Sequence, residues 1–321
     1  MRRLIVILVL LCSAFPAWSA CTVSTTNGAF GSVTSFVLNS NVQTTTANLI
    51  VRCDAALNLL TNDSVTLTLT GASATASNRG TLKRTDDATI TDAIPVRVCG
   101  QSGCANSSEA TISGNSYTWS GAVLLALLGT RTYTLPLYFQ TVAGQNVTAG
   151  PYQVTLNFSV AYSVCSVGVL NLCSTAQTGT ATTSLQLNMT VTNDCTTIRA
   201  PNVNFGSAPL VRNFPTVSQS IAVTCTKGST YTVGINDGGY ASGGIRNMAS
   251  GSNRLSYEIY KAATTNRWGS SGAERWSSGT SSQVSTDGLL RTYNYTAKVL
   301  PTQTTPAGGA YSDTLTVDIA F

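Results

Sequence analysis

Apolar and polar residues alternate with a period of two over short stretches along much of the chain, and clusters of Gly, Asn, Asp and Ser separate the stretches. Ser64–Thr70 and Tyr231–Ile235 are typical; Val154–Tyr162 and Thr314–Phe321 each close on an aromatic. Successive side chains of a strand point to opposite faces, so the pattern predicts half-buried strands. No stretch with the 3.6-residue period of an amphipathic helix is long enough to compete. The predicted fold is all-β, built from immunoglobulin-like antiparallel β-sandwiches.

The pattern occurs twice. Cys21 through Phe30-Gly31 is echoed by Cys195 through Phe205-Gly206, and Ile50–Cys53 by Ala222–Cys225. Arg131-Thr132-Tyr133 returns as Arg291-Thr292-Tyr293, and Ala149–Tyr152 as Ala307–Tyr311. Two tandem copies of one fold explain the echo, with a leader over residues 1–20, a first domain over 21–193 and a second over 194–321. One strand has no counterpart: in Ser184–Thr192, Leu185, Leu187, Met189 and Val191 share one face and the intervening residues are polar. Assigned to the first domain, it acts as an internal donor strand, and the second sandwich lacks its final strand because the chain stops at Phe321. The alternative gives the strand to the second domain or to a linker and leaves the first incomplete. A sandwich short of a strand exposes core and unpaired backbone, which a strand from a neighbouring chain completes. The protein is expected to accept such a strand and, with its mature start at Cys21, to have none to give. That polarity places it at the end of a fibre.

Met1–Ala20 opens on Arg2 and Arg3, continues through apolar Leu4–Leu11 and closes on Ala17-Trp18-Ser19-Ala20. This is the pattern of a secretory signal peptide, cut before Ala20 or Cys21. Acylation of Cys21 is the competing reading, and Trp18 fits such a site poorly. The longest later apolar run, Ala122–Leu128, is far too short to span a membrane. Charged residues make up 10% of the chain, the net charge is +5, and no basic patch points to nucleic acid as a partner. The chain has no histidine, which removes Ser-His and Cys-His catalysis, and no acid pair or cofactor motif stands in; no enzyme activity and no cofactor are expected. Nine cysteines include Cys12 in the leader and leave eight in an exported chain, which points to four disulfides. The repeat and the short spacings favour Cys21–Cys53, Cys99–Cys104, Cys165–Cys173 and Cys195–Cys225. A metal site at Cys99 and Cys104 is the alternative, disfavoured by the oxidising compartment and the missing histidines.

The second copy carries Phe205-Gly206, Val223-Thr224-Cys225-Thr226, Tyr231-Thr232-Val233 and Arg246-Asn247-Met248. It continues with Leu255-Ser256-Tyr257-Glu258-Ile259-Tyr260, Trp268-Gly269, and Pro306-Ala307-Gly308 leading to Tyr311–Val317. Together these resemble the spore coat protein U domain found in subunits of archaic chaperone-usher pili. The first copy keeps the paired cysteines and the closing strand, lacks the Trp-Gly and Leu-x-Tyr-x-x-Tyr pieces, and resembles a diverged relative with a different task. The resemblance implies a two-domain tip adhesin. Its partners would be a periplasmic chaperone, an outer-membrane usher and an adjacent pilin subunit that donates a strand. It would cross the periplasm to a pilus on the cell surface, attach to an abiotic or host surface and promote biofilm formation.

Three apolar segments of the first copy are candidates for the attachment surface. Cys165–Cys173 confines Val167, Val169, Leu170 and Leu172 in a short disulfide-closed loop that cannot easily fold into a core. Ala122–Leu128, with Leu124, Leu125, Leu127 and Leu128, also reads as a buried strand. Ala55–Leu60, with Leu57, Leu59 and Leu60, stands where the second copy has polar Thr226–Ser229, and also reads as the start of a core strand. A lectin-like tip, with Asn115, Tyr117 and Trp119 facing a sugar, is one alternative. A purely structural coat or fibre protein is the other.

Overall fold

The computed structural model describes residues 21–53, 57–59, 63–120, 131–169 and 172–321. The leader expected over residues 1–20 lies outside the described residues, as do Leu60, Leu124, Leu125, Leu127, Leu128 and Leu170. By backbone contacts the chain forms two compact units. The first takes residues up to Gly31, Val42–Ala143 and Pro151–Met189; the second takes Ser32–Asn41, Gly144–Gly150 and Thr190–Phe321.

Thirteen strands come first: β1 (Thr22–Thr25), β2 (Gly28–Thr34), β3 (Thr44–Cys53), β4 (Leu57–Leu59), β5 (Ser64–Ala72), β6 (Thr75–Ala76) and β7 (Arg79–Arg84). They continue with β8 (Ala93–Cys99), β9 (Glu109–Ala110), β10 (Tyr117–Ser120), β11 (Arg131–Thr141), β12 (Gly150–Val169) and β13 (Leu172–Thr192). One short helix, α1 (Ser35–Ser40), follows β2, and its first turn is capped by the Thr34 hydroxyl, which accepts from the Val37 amide. The strands form one hydrogen-bonded path, β1-β3-β11-β8-β7-β12-β13-β2. The layers of this sandwich are stitched together by β7 and β8, which pair from Gly80–Val96 to Lys83–Ala93. The period-two pattern acts as expected. Val65, Leu67 and Leu69 of β5 are buried, whereas Thr66 and Thr68 face outward and bond the hydroxyls of Thr118 and Ser116 at 2.9 and 2.7 Å.

The remaining strands are β14 (Cys195–Arg199), β15 (Val217–Cys225), β16 (Thr232–Ile235), β17 (Arg246–Ser250), β18 (Asn253–Lys261), β19 (Trp276–Ser277), β20 (Gln283–Val284), β21 (Leu290–Val299) and β22 (Val317–Ala320). They make two sheets, β14-β15-β21-β18-β17 with β20 alongside β21, and β19-β16-β22. The core between them holds Trp268, wholly buried, with Trp276 and Tyr295 at ring separations of 4.8 and 5.8 Å.

All four anticipated disulfides are present, Cys21–Cys53, Cys99–Cys104, Cys165–Cys173 and Cys195–Cys225. Cys21–Cys53 joins the start of β1 to the end of β3, and Cys195–Cys225 joins the start of β14 to the end of β15, so the repeat in sequence is a repeat in structure. In the chain-entropy picture, closing loops of 32 and 30 residues contributes about 3 to 4 kcal/mol each.

Candidate functional site

The unmatched strand of the sequence is the end of β13. It lies between β12 and β2, and its four apolar residues, Leu185, Leu187, Met189 and Val191, are at most 2% exposed. Its direction follows from its hydrogen bonds. The Thr25 hydroxyl donates to the Ser184 carbonyl, the Gln186 amide donates to Asn27 Oδ1, and the Thr192 hydroxyl donates to the Val33 carbonyl. The partners ascend together, so β13 runs parallel to β2. Against β12 they run in opposite order, Gln153 with Asn188 and Ser166 with Thr175, so this side is antiparallel, with Val154 across from Leu187 and Leu156 across from Leu185.

The second unit has the same two flanks. The repeat maps Gly28 and Phe30 of β2 onto Val203 and Phe205. It maps Tyr152, Leu156, Phe158 and Val160 of β12 onto Tyr311, Leu315, Val317 and Ile319. Gly31 and Gly206, which follow the two phenylalanines, both have φ of 75°, a left-handed conformation that glycine adopts without a Cβ penalty. Among the described residues no strand lies between these flanks. Residues 200–208 and 311–316 are outside any strand, and β22 has four residues where β12 has 20. The flanks instead border a groove of about 450 Å³. Val203 and Phe205 form one wall, Tyr311, Asp313, Leu315 and Val317 the other, and Ile221, Ile235, Tyr257, Ile259, Tyr295 and Ala297 the floor. Burial records the difference: Leu156, Phe158 and Val160 are at most 1% exposed, whereas Leu315, Val317 and Ile319 are only partly buried.

Asp313 is the one charged residue lining the groove, where it stands beside the polar Asn202, Ser312 and Thr314. Its Oδ2 accepts from the Tyr257 hydroxyl at 2.7 Å, and its Oδ1 accepts from the amides of Gly239 and Thr314 at 2.9 Å each. Burial, reinforced by the hydrogen bond to Asp313, pushes the Tyr257 phenol well above its ordinary value. Burial alone raises Tyr295 to about 12. Both phenols are neutral at any physiological pH.

Beside the groove, the signature residues Arg246 and Glu258 form a buried ion pair that Arg267 extends to the more exposed Asp237 and Glu274. Arg246, wholly buried, donates from Nη2 to the carbonyls of Ile235 and Trp268 at 2.8 Å and from Nη1 to Glu258 at 3.0 Å. Arg267 donates to the same Glu258 at 2.9 Å and to Glu274 and Asp237 at 2.5 Å each. Burial pulls Arg246 below its ordinary value against the pull of Glu258. For Arg267 burial acts the same way, but the bond to Asp237 and the charge of Glu258 outweigh it and raise the pKa.

The apolar segments of the first copy root together. β4 pairs in parallel with the end of β12, Leu57 with Val167 and Leu59 with Val169. The segment holding Leu124, Leu125, Leu127 and Leu128 leaves after Ser120, opposite Ser64, and returns at Arg131, opposite Cys53. The disulfide expected to close a short loop around Val167 and Val169 is present, but these two residues lie in paired strand: β12 continues through Val169 and β13 begins at Leu172, so Cys165–Cys173 closes the tip of a long hairpin. The physical reason is that β4 and β13 give the backbone of this stretch ladder partners. Leu172 is 78% exposed.

One residue at these roots escaped the sequence reading. Asp63, 2% exposed, accepts from the Tyr133 hydroxyl at 2.5 Å and from the Cys165 amide at 2.9 Å. It therefore ties the starts of β5, β11 and the hairpin tip together. The available signal was an acid directly ahead of an alternating strand. Of the lectin candidates, Trp119 is 4% exposed and packs edge-on against Tyr117 at 4.8 Å, so its ring offers no face to a sugar, while Asn115 is exposed.

Residues 8–159 and 181–318 match a family model described as Spore Coat Protein U domain. No curated relative matches the chain. Among solved structures, the chain resembles one in the CsuC–CsuE chaperone-tip adhesion subunit pre-assembly complex from archaic chaperone-usher Csu pili of Acinetobacter baumannii. The two are 25% identical with a TM-score of 0.56, over 94% of this chain and 100% of that one. A looser likeness, 12% identical with a TM-score of 0.40, is to the CupB6 tip adhesin of Pseudomonas aeruginosa, over 94% of this chain and 93% of that one.

Proposed function

As the chain belongs to the Spore Coat Protein U domain family, we propose that it is a non-enzymatic tip subunit of a chaperone-usher-type pilus, whose second unit accepts a strand from the neighbouring subunit. The observation that carries this reading is the contrast between equivalent places: β13 fills the space between β2 and β12, while the corresponding flanks of the second unit border an open groove over core residues such as Ile221, Ile235 and Ile259. Filling that groove with an alternating strand removes the remaining exposed surface of Leu315 and Val317 from water, a part of the about 1.5 to 3 kcal/mol that full burial of such a side chain is worth, and gives the backbone of residues 313–316, which lies outside any strand, ladder partners. By analogy with the order β12-β13-β2, the incoming strand runs antiparallel to β22.

Until a neighbouring subunit arrives, a periplasmic chaperone covers the groove, and an outer-membrane usher mediates the exchange. The chaperone-bound tip adhesion subunit among the similar structures supports this sequence. Export begins with the leader Met1–Ala20 and ends on the cell surface. The first unit, complete in itself, is free to carry adhesion on its apolar hairpin tip, and so to promote attachment and biofilm formation. The test is co-expression with the chaperone of the same pilus system. A stoichiometric complex is expected, in which Val317→Cys of this chain forms a disulfide with a cysteine placed on the chaperone's inserted strand. A stable free monomer whose groove residues are already protected from hydrogen exchange would overturn the acceptor reading.

A further inference from the structure

In the first unit, one position of the filling strand is under closer steric control than its neighbours. Leu187 is wholly buried against Gly28, where an added Cβ would lie 2.8 Å from the leucine Cδ2. On its other side it faces Val154, also wholly buried. A large side chain fits here because one wall has no side chain and the other is apolar.

The repeat changes both walls in the second unit. Val203 stands in place of Gly28, and Asp313 in place of Val154, and both line the groove. Val203 supplies the Cβ that Gly28 lacks and two methyl groups beyond it. Asp313 supplies a carboxylate whose oxygens are held by Tyr257, Gly239 and Thr314, so it does not swing clear. The flanking positions are less altered: Phe205 repeats Phe30, Leu315 repeats Leu156 and Tyr311 repeats Tyr152. The narrowing and the charge thus fall on one place, that of Leu187.

Resting on the acceptor reading of this groove, we propose that Val203 and Asp313 form a filter on the incoming strand. The strand it admits carries a small residue, such as glycine, alanine or serine, where β13 has Leu187, with large apolar residues two places to either side. Leucine at that position overpacks against Val203 and sets an apolar side chain against a fixed carboxylate. The filter therefore rejects the protein's own β13 sequence, and strand exchange between copies of this chain is disfavoured by the repulsive element as well as by the lack of a good fit.

The test uses the full oxidised chain and two fluorescent peptides spanning Ser184–Thr192, one with the native sequence and one carrying Leu187→Ser. The serine peptide is expected to bind about tenfold or more tightly. On a Val203→Gly chain the preference is expected to shrink or reverse. Equal or tighter binding of the native peptide to the unaltered chain would overturn the filter and leave the acceptor reading standing. Binding of neither peptide would remove the acceptor reading and the filter with it. The peptide comparison requires no altered protein, so a variant that fails to fold does not obscure the result.

Discussion

Arg246 and Glu258 explain part of the family signature in physical terms. A guanidinium with no solvent contact is tolerated because Glu258 and the carbonyls of Ile235, Asn236 and Trp268 take up its donors. Removing the cation leaves Glu258 buried beside Arg267 alone and three carbonyls short of a donor. Arg246→Met should therefore cost about 3 to 5 kcal/mol, read from the denaturant midpoint of the second unit, and a loss under 1 kcal/mol would show that the cluster contributes little to stability. In the first unit the corresponding test is one of pH. Glu109, also buried, accepts from Arg79 at 2.6 Å and pairs with Arg97 at 2.8 Å. Burial would raise its pKa, but the hydrogen bonds from the two arginines hold it below its ordinary 4.5. A carboxylate with a lowered folded pKa stabilises the fold above its unfolded value and loses that contribution as pH falls through the folded one. The gap in melting temperature between the native chain and Glu109→Gln should therefore be widest near pH 7 and close progressively below about 4.5. A gap that stays constant to pH 3 would show that this carboxylate is not charged in the fold. Neither cluster is legible in the alternation, which records which face a residue occupies and not what its head group meets.

At the scale of elements, the strands that the sequence reveals are those with one apolar face. Leu185, Leu187, Met189 and Val191 announce the end of β13 because each second residue is buried. The first half of the same strand, Leu172–Thr183, is mostly Thr, Ser, Ala and Gln and largely exposed, so nothing in its periodicity separates it from a loop. It is a strand because β12 pairs with it, and pairing leaves no mark on composition. The gap in the second copy was legible from the unmatched Ser184–Thr192, but one residue of its wall was not: Asp313 continues the row of Tyr311, Leu315 and Val317 that lines the groove, and an acid there reads as a turn or strand end. The role of β13 is open to direct test. Leu187→Ala should destabilise the first unit by about 2 to 5 kcal/mol, and deletion of Ser184–Thr192 should leave it sensitive to protease under native conditions. Unchanged resistance after the deletion would mean that the first sandwich does not depend on its internal strand.

For the molecule as a whole, the two units differ at equivalent places: β13 completes the first, and the second leaves a groove that, on the proposed reading, a partner's strand fills. A unit that closes its own core is free to present a surface, and Leu172 at the hairpin tip is the most exposed large apolar residue among those described. The cross-link Cys165–Cys173 and the Asp63 bonds to Tyr133 and Cys165 restrain the base of that tip, so ordering it on contact costs little entropy. On the proposed adhesive reading, each leucine withdrawn from water on attachment would contribute about 1.5 to 3 kcal/mol, enough for several together to hold an inert apolar surface without a specific ligand. Two aspartates at the tip reverse the sign of that contribution, since burying them against plastic carries an uncompensated desolvation cost. Leu170→Asp combined with Leu172→Asp is therefore expected to abolish attachment to polystyrene while the purified chain still binds its chaperone and still appears at the end of assembled fibres. Retained attachment would move adhesion away from this tip. A selective glycan signal that survives both substitutions would favour a sugar-binding surface elsewhere on the first unit.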